Sequence, residues 1–205
     1  MNIFYKYYKR YDAWYDRNKF AYLSEIEAIR RVLPKKGRGL EIGVGTGRFA
    51  GALKIESGID PSKDMLRLAR RRGIDAKLAC GERLPFKKAV FDYAVIIITI
   101  CFVNDPKRVL KEAYRVLKKN GRIIMGIVDR DGFLGRFYQK KKSIFYKNAN
   151  FFTVKEVTDL LKGAGFTGFS YRQTLSKLPD RVRSMERSRK GFGRGGFVVI
   201  SARKG

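Results

Sequence analysis

The chain has 205 residues, 44% of them hydrophobic and 32% charged, and its 46 Lys and Arg residues exceed its 19 Asp and Glu residues to give a formal net charge of +27. This length and apolar content predict one folded domain and exclude an intrinsically disordered chain. The absence of histidine excludes a Ser-His-Asp triad and an HExxH zinc site, and two cysteines without a CxxC spacing indicate neither a zinc cluster nor a disulfide framework.

The cellular setting follows from the same composition. We find no apolar run long enough to cross a membrane and no secretory signal, and with so few cysteines we expect a cytoplasmic protein without membrane contact. The basic excess has two interpretations: a surface that attracts nucleic acid or another anion, or a solvated Lys- and Arg-rich surface such as thermophilic proteins carry. A nucleic-acid partner is open but not favoured.

The first 33 residues combine aromatic and charged side chains. Eight aromatic rings occur within residues 4–20, and residues 24–33 place apolar side chains at helical spacing. We interpret residues 1–33 as an aromatic and helical cap. It is either a lid over a ligand or a helix whose rings pack on the core.

Strand and helix patterns alternate through residues 37–128. The continuous apolar run at residues 94–98 is typical of a parallel strand that is covered on both faces. Asp105 and Pro106 predict a helix N-terminus between the last two strands of this region. The predicted strands are residues 39–43, 57–59, 76–79, 91–100 and 122–128.

The C-terminal part begins with a capping box, TVKE at residues 153–156, and two more strands are predicted at residues 169–174 and 197–202. Residues 129–150 and 176–196 stand outside the alternation and are interpreted as an insertion and a mobile loop. The pattern predicts an α/β fold with a doubly wound, Rossmann-like sheet in a single domain.

The strongest chemical signal is the sequence LEIGVGTG at residues 40–47, between a strand and a helix. Glycines let a ligand approach the backbone, and the N-terminus of the following helix offers unpaired N–H groups. The dinucleotide fingerprint G-x-G-x-x-G would need glycine where the chain has Arg48. A nucleotide-like ligand is expected, and NAD is disfavoured.

These residues resemble motif I of the class I S-adenosylmethionine (AdoMet) dependent methyltransferases, [E/D]-x-G-x-G-x-G, with every fixed position met. Later family motifs are resembled in order by GIDPS (residues 58–62), GERLPF (81–86), FDYAV (91–95) and LKEAYRVLKKNG (110–121). GERLPF is similar to the A-E-x-L-P-F motif of a subgroup that acts on small molecules and includes the ubiquinone-type C-methyltransferases.

The resemblance implies a seven-stranded sheet of order 3-2-1-4-5-7-6, with strand 7 antiparallel. It implies AdoMet as the cofactor, S-adenosylhomocysteine as the product and a small-molecule acceptor. Residues 37–128 would form the cofactor-binding core, residues 129–150 would lie near the acceptor, and residues 151–205 would supply the C-terminal helix and the last two strands. No metal is predicted.

Roles for the cofactor-binding residues follow from the resemblance. Glu41 would reach the amino end of AdoMet, and Asp60 would accept hydrogen bonds from both ribose hydroxyls; the alternatives are a surface acid and a helix N-cap. Cys80 stands where the family usually has an Asp for the adenine amino group, which shifts that contact to the neighbouring backbone. The predicted set is Glu41, Gly43, Gly45, Gly47, Asp60, Pro61, Cys80, Gly81, Glu82, Thr99 and Tyr15.

The acceptor site is predicted from aromatic residues. YDAWYD at residues 11–16 resembles a Y-D-x-W segment that folds over AdoMet in the family, and the loop after strand 5 leaves the same edge of the sheet. The predicted acceptor residues are Tyr11, Trp14, Phe133, Phe137 and Tyr138. A catalytic base, which would be a tyrosine or a carboxylate, is left open.

Two other functions compete with a small-molecule methyltransferase. The positive charge is compatible with an RNA methyltransferase, although the [D/N/S]-P-P-[Y/F/W] motif of base-amine methyltransferases is missing after the fourth strand. The departure at Cys80 is compatible with a basic RNA-binding protein that has lost catalysis.

Overall fold

The computed structural model describes residues 3–141, 143–147 and 149–205. Its helices are α1 (Ile3–Arg17), α2 (Lys19–Arg30), α3 (Arg48–Leu53), α4 (Lys63–Arg71), α5 (Pro106–Val116), α6 (Phe133–Lys140) and α7 (Val154–Gly163). Its strands are β1 (Gly39–Ile42), β2 (Ser57–Asp60), β3 (Asp75–Leu78), β4 (Phe91–Ile97), β5 (Leu117–Val128), β6 (Phe166–Thr174), β7 (Arg189–Lys190) and β8 (Phe197–Lys204).

All the strands form one sheet of order β3-β2-β1-β4-β5-β8-β6-β7. The first five are parallel, and β8 runs antiparallel to both β5 and β6. The predicted class and order are confirmed, but the described residues form eight strands rather than seven. The additional strand, β7, has two residues, pairs only with β6 and lies inside the segment predicted to be a loop.

The core has two halves because alternate residues of the central strands face opposite sides of the sheet. Val95 and Ile97 pack with the apolar residues of α1, α2, α3, α4 and α6. Ala94 and Ile96 pack with those of α5 and α7. The buried run of β4 is therefore covered on both faces, as its sequence predicts.

Helix caps follow the predicted pattern with one correction. The Asp105 carboxylate accepts a hydrogen bond from the Arg108 N–H, and Thr153 and Glu156 form the predicted capping box. The N-cap of α4 is Ser62, whose hydroxyl accepts the Met65 N–H. The N-cap interpretation of Asp60 was therefore wrong.

Helix α1 is attached to the sheet layer by ion pairs and by aromatic packing. Arg48 pairs with Asp12 at 2.8 Å and with Asp16 at 2.6 Å, and Arg72 pairs with Asp12 at 2.9 Å. The buried Tyr15 ring meets the Phe49 ring edge to face. No helix in the described ranges is long and apolar enough to span a membrane.

The two acids that pair with Arg48 differ in burial, and this generates a test. The Asp12 side chain is only 16% exposed and pairs with both Arg48 and Arg72. Asp12→Ala removes this shared partner, so we expect a loss of about 1.5 to 3 kcal/mol in the free energy of unfolding. Asp16 is 67% exposed, and Asp16→Ala should cost less than about 1 kcal/mol. Urea unfolding followed by circular dichroism measures both, and equal losses would contradict this ranking.

Candidate functional site

A cavity of about 1000 Å³ lies at the carboxyl ends of β1, β2, β4 and β5. Open α/β sheets bind their ligands at this edge, where the strand order reverses. Helices α1, α2 and α6 and the segment 143–146 supply the rest of the wall. The cavity therefore has one half made by the sheet and one half made by elements outside the βα alternation.

The glycine turn after β1 forms the floor. The N–H groups of Gly43 and Val44 both donate to the Ile59 carbonyl, at 2.9 and 2.8 Å. Gly43 has a φ of +77°, and any β-carbon there would overlap the Thr99 side chain. Gly45 has a φ of +52°, and a β-carbon there would meet only the Tyr11 ring, at 3.8 Å. The backbone at Gly45 thus faces open space.

Gly47, the third glycine of the predicted motif, does not line the cavity. Its φ is +80°, and a β-carbon there would lie 2.9 Å from the Ala69 backbone in α4. The role of this glycine in the structure is to let α3 and α4 approach each other.

Asp60 ends β2 beside the turn and lines the cavity together with Pro61. Its Oδ2 accepts the Gly45 N–H at 3.0 Å and its Oδ1 accepts the Ser62 N–H at 2.8 Å. Burial raises the pKa of Asp60 to about 6, although these two N–H groups favour the charged form. Each oxygen keeps a lone pair for a ligand hydroxyl.

Glu41 lies on β1 beneath the turn and does not line the cavity. It is 2% exposed, and its Oε2 has no hydrogen-bond partner among the described residues. Burial raises its pKa well above the ordinary value, and the nearby Asp60 charge adds to this effect. The surface-acid interpretation of Glu41 was wrong.

The remaining predicted cofactor residues also line the cavity: Cys80, Gly81, Glu82, Thr99 and, from α1, Tyr15. The Cys80 side chain is exposed, and Glu82 Oε1 accepts the Asn104 N–H at 3.1 Å. Ile98, which sequence reasoning missed, has a φ of +49°, a strained backbone for a β-branched residue.

Four of the five predicted acceptor residues line the aromatic half: Tyr11, Trp14, Phe137 and Tyr138. Phe133 does not; its ring lies against Gly196 instead. Phe145 and Tyr146, which were not predicted, also line this half, and Tyr146 stacks on Tyr138 with ring centroids 4.4 Å apart. The basic run that follows α6 is only partly described, because Lys142 lies outside the described residues.

Glu25 is the most unusual group in the wall, and sequence reasoning missed it. It lies on the buried face of α2, is 2% exposed and lines the cavity. Its Oε2 has no hydrogen-bond partner in the described part of the chain, and burial raises the pKa of the carboxyl to about 8. Its position on the apolar face of α2, with Ala21, Ala28 and Ile29, was the available signal.

The other ionisable groups of the aromatic half are poor bases. Burial raises the pKa of Tyr11, Tyr15 and Tyr146 well above the ordinary value for a phenol, so they stay neutral. Cys101 is buried and does not line the cavity, and burial raises the pKa of its thiol to about 12, which disfavours the nucleophilic thiolate. Between the two kinds of base left open by the sequence, the geometry favours a carboxylate.

Comparisons with known proteins agree with this geometry. A family model described as a methyltransferase domain matches residues 40–125. An uncharacterized protein from Methanocaldococcus jannaschii is 52% identical over the full length of both chains. A Thermotoga maritima demethylmenaquinone methyltransferase is 34% identical over 108 residues, which cover 49% of this chain and 46% of that one.

A solved structure is similar over nearly the whole chain. It is a Thermotoga maritima crystal structure described as a SAM-dependent methyltransferase and possible histamine N-methyltransferase. The TM-score is 0.97 at 50% identity, and the match covers 99% of this chain and 98% of that one.

The raised pKa of Glu25 predicts how stability depends on pH. The folded state holds the Glu25 proton up to about pH 8, whereas the unfolded chain loses it near pH 4.5. Between these values the unfolded state gains stability by ionising, so the free energy of unfolding falls as the pH rises. Glu25→Gln should have a melting temperature near that of the wild type at pH 4, and an advantage that grows up to about pH 8 and then levels off.

Glu27→Gln is the matched control on the same helix. The Glu27 pKa is lowered, because hydrogen bonds from Arg31 and Ser188 outweigh partial burial, so this carboxylate stabilises the fold above its ordinary pKa. Its loss should lower the melting temperature at neutral pH. A pH-independent difference between wild type and Glu25→Gln in thermal scans would contradict the assignment of a buried, titrating Glu25.

Proposed function

Since the chain belongs to the class I AdoMet-dependent methyltransferases, we propose that it transfers the methyl group to a small-molecule acceptor held in the aromatic half of the cavity. The observation that carries this proposal is the division of one cavity between a polar floor and an aromatic wall. The floor suits the cofactor, and the wall suits an acceptor of limited size.

The residues present fit AdoMet. The open space above Gly45 lies beside the Asp60 carboxylate. Any residue other than glycine at position 45 would place its side chain in this space. We assign the ribose hydroxyls to Asp60, the methionine end to the backbone of Gly43 and Gly45, and the adenine end to the region of Cys80, Gly81 and Glu82. The Glu41 carboxyl lies beneath the turn, and its buried Oε2 has no hydrogen-bond partner among the described residues.

When bound, AdoMet supplies a methyl group on a cationic sulfonium sulfur, and alignment and dehydration then provide most of the rate. The chain contributes to both. The Tyr11 ring borders the open space above Gly45, and its hydroxyl lies 2.6 Å from the Tyr15 hydroxyl. Helix α1 therefore covers the floor with two rings that hold each other in place. The faces of these rings attract a cationic centre and exclude water.

In this proposal each segment of the chain has its own role. The cap at residues 1–33 and the insertion at residues 129–150 form the acceptor wall, the core at residues 37–128 holds the cofactor, and residues 151–205 complete the sheet. The cavity roofed by α1 and by residues 143–146 favours a small acceptor over a base within RNA. The cytoplasm, where the two free cysteines stay reduced, is the compartment we assign.

The ribose assignment is tested at Asp60. Asp60→Asn should weaken the binding of S-adenosylhomocysteine at least about tenfold. A carboxylate has two oxygens that each accept a hydroxyl, whereas the amide of asparagine has only one accepting oxygen. Wild-type affinity should fall as the pH drops below about 6, since protonation competes with the hydroxyls, and the variant should lose this dependence.

Titration calorimetry between pH 5 and 8 measures both effects. Asp64→Asn is the control, because Asp64 is an exposed acid of α4 that pairs with Arg67 at the surface. Unchanged affinity in Asp60→Asn would show that the ribose binds elsewhere.

The glycine turn is tested with a pair of variants. Gly45→Ala places a methyl group in the space assigned to the methionine end, so it should abolish measurable S-adenosylhomocysteine binding. Gly73→Ala introduces a comparable left-handed strain, at a φ of +81° and with nothing within 4 Å of the new atom, and it should bind normally. Equal binding by the two variants would remove the turn from the cofactor site.

A further inference from the structure

The Glu25 carboxyl lies in the acceptor half of the cavity and is used by nothing else in the described structure. Its Oε2 has neither a hydrogen bond nor an ion pair there. Glu25, Tyr11 and Asp60 line the same cavity, and the Tyr11 ring lies over Gly45 of the floor. A buried carboxyl with a free oxygen in a ligand cavity needs a partner, because its desolvation is costly.

We propose that Glu25 binds the ammonium group of an amine acceptor and takes up its proton before methyl transfer. The inference rests on the proposed function, since it names the acceptor class and the base for the same cavity. It also explains why a carboxylate is kept on the apolar face of α2, where any uncharged residue would be less costly to bury.

The surroundings of Glu25 suit an organic cation. Aromatic faces attract ammonium groups, and this effect is larger in a dehydrated site. Rings from three separate segments share the cavity with Glu25, namely Trp14 of α1, Tyr138 of α6 and Tyr146. The ionisable groups that sense its charge are Tyr11, Tyr15, Tyr22, Tyr138 and Tyr146, and all of these are phenols.

The chemistry balances with one proton and one methyl group. An ammonium nitrogen has no lone pair, so its proton first moves to the Glu25 carboxylate. The neutral nitrogen then attacks the methyl carbon; the C–N bond forms, the C–S bond breaks, and the sulfur keeps the electron pair as a thioether. The methylated ammonium product leaves, and the proton on Glu25 returns to solvent when the next ammonium ion enters. Burial, which raises the pKa of Glu25 to about 8, brings this acid closer in strength to an alkylammonium.

Charged groups at the exposed part of the wall favour a different acceptor. Arg10, Arg17 and Lys141 line the cavity at its solvent side, together with the acid Asp180, and the cations would attract an anion. They are exposed and therefore screened by salt, whereas Glu25 is enclosed. We therefore favour the amine and treat an anionic acceptor as an outcome of the test.

The test is the binding of three matched probes to the full chain saturated with S-adenosylhomocysteine: 2-phenylethylamine, 2-phenylethanol and 3-phenylpropionate. Calorimetry at pH 7 in buffers of different ionisation enthalpy counts the protons released. Entry of the ammonium ion must displace the proton that Glu25 holds at this pH, so the wild type should release about 0.9 proton per amine bound. The alcohol should bind without proton release.

Glu25→Gln should bind the amine at least about tenfold more weakly and release no proton, while its affinity for the alcohol and for S-adenosylhomocysteine stays unchanged. Glu27→Gln should behave like the wild type. Amine binding without proton release, equal amine affinity in Glu25→Gln, no amine binding, or preferential binding of 3-phenylpropionate would each overturn the proposal. Failure of the wild type to bind S-adenosylhomocysteine would instead overturn the proposed function.

Discussion

The close approach of the turn after β1 to the end of β4 is the constraint on which the site depends. Gly43 has no space for a side chain because Thr99 occupies it, and two successive N–H groups of the turn are fixed to the Ile59 carbonyl of β2. The turn is thus held from both neighbouring strands. This arrangement directs the Gly45 backbone toward the cavity and brings its N–H within 3.0 Å of the Asp60 carboxylate.

Three carboxyls around this cavity, Glu25, Glu41 and Asp60, are disfavoured as anions by burial. They lie in a protein with a formal net charge of +27, so the exterior is strongly cationic whereas burial favours the neutral form of these acids inside. A nearby cation favours the charged form of a carboxyl, so in the proposed function these acids suit a sulfonium centre and an organic ammonium ion better than anions of similar size.

Much of the fold could be predicted from local patterns, because β4 has a continuous apolar run, Asp105 precedes a proline, and residues 153–156 form a capping box. Strand β7 could not, since Arg189 and Lys190 carry no apolar pattern and are ordered only by pairing with β6. The turn and Asp60 were predictable because their spacing is local. Phe133 was predicted to line the acceptor site and does not, and Glu25 was not predicted to line the cavity and does. Their surroundings depend on how α6 and α2 are rotated against segments that are distant in sequence.

The two halves of the cavity are encoded by separate stretches of chain, and this has a consequence for how such proteins diversify. Loops and strand ends from β1 to β4 make the floor, whereas α1, α2, α6 and residues 143–146 make most of the wall. Substitutions in the wall can change the accepted compound without disturbing the turn at Gly43. Laboratory evolution toward new acceptors can therefore confine its libraries to these wall segments and leave the cofactor half as an invariant scaffold.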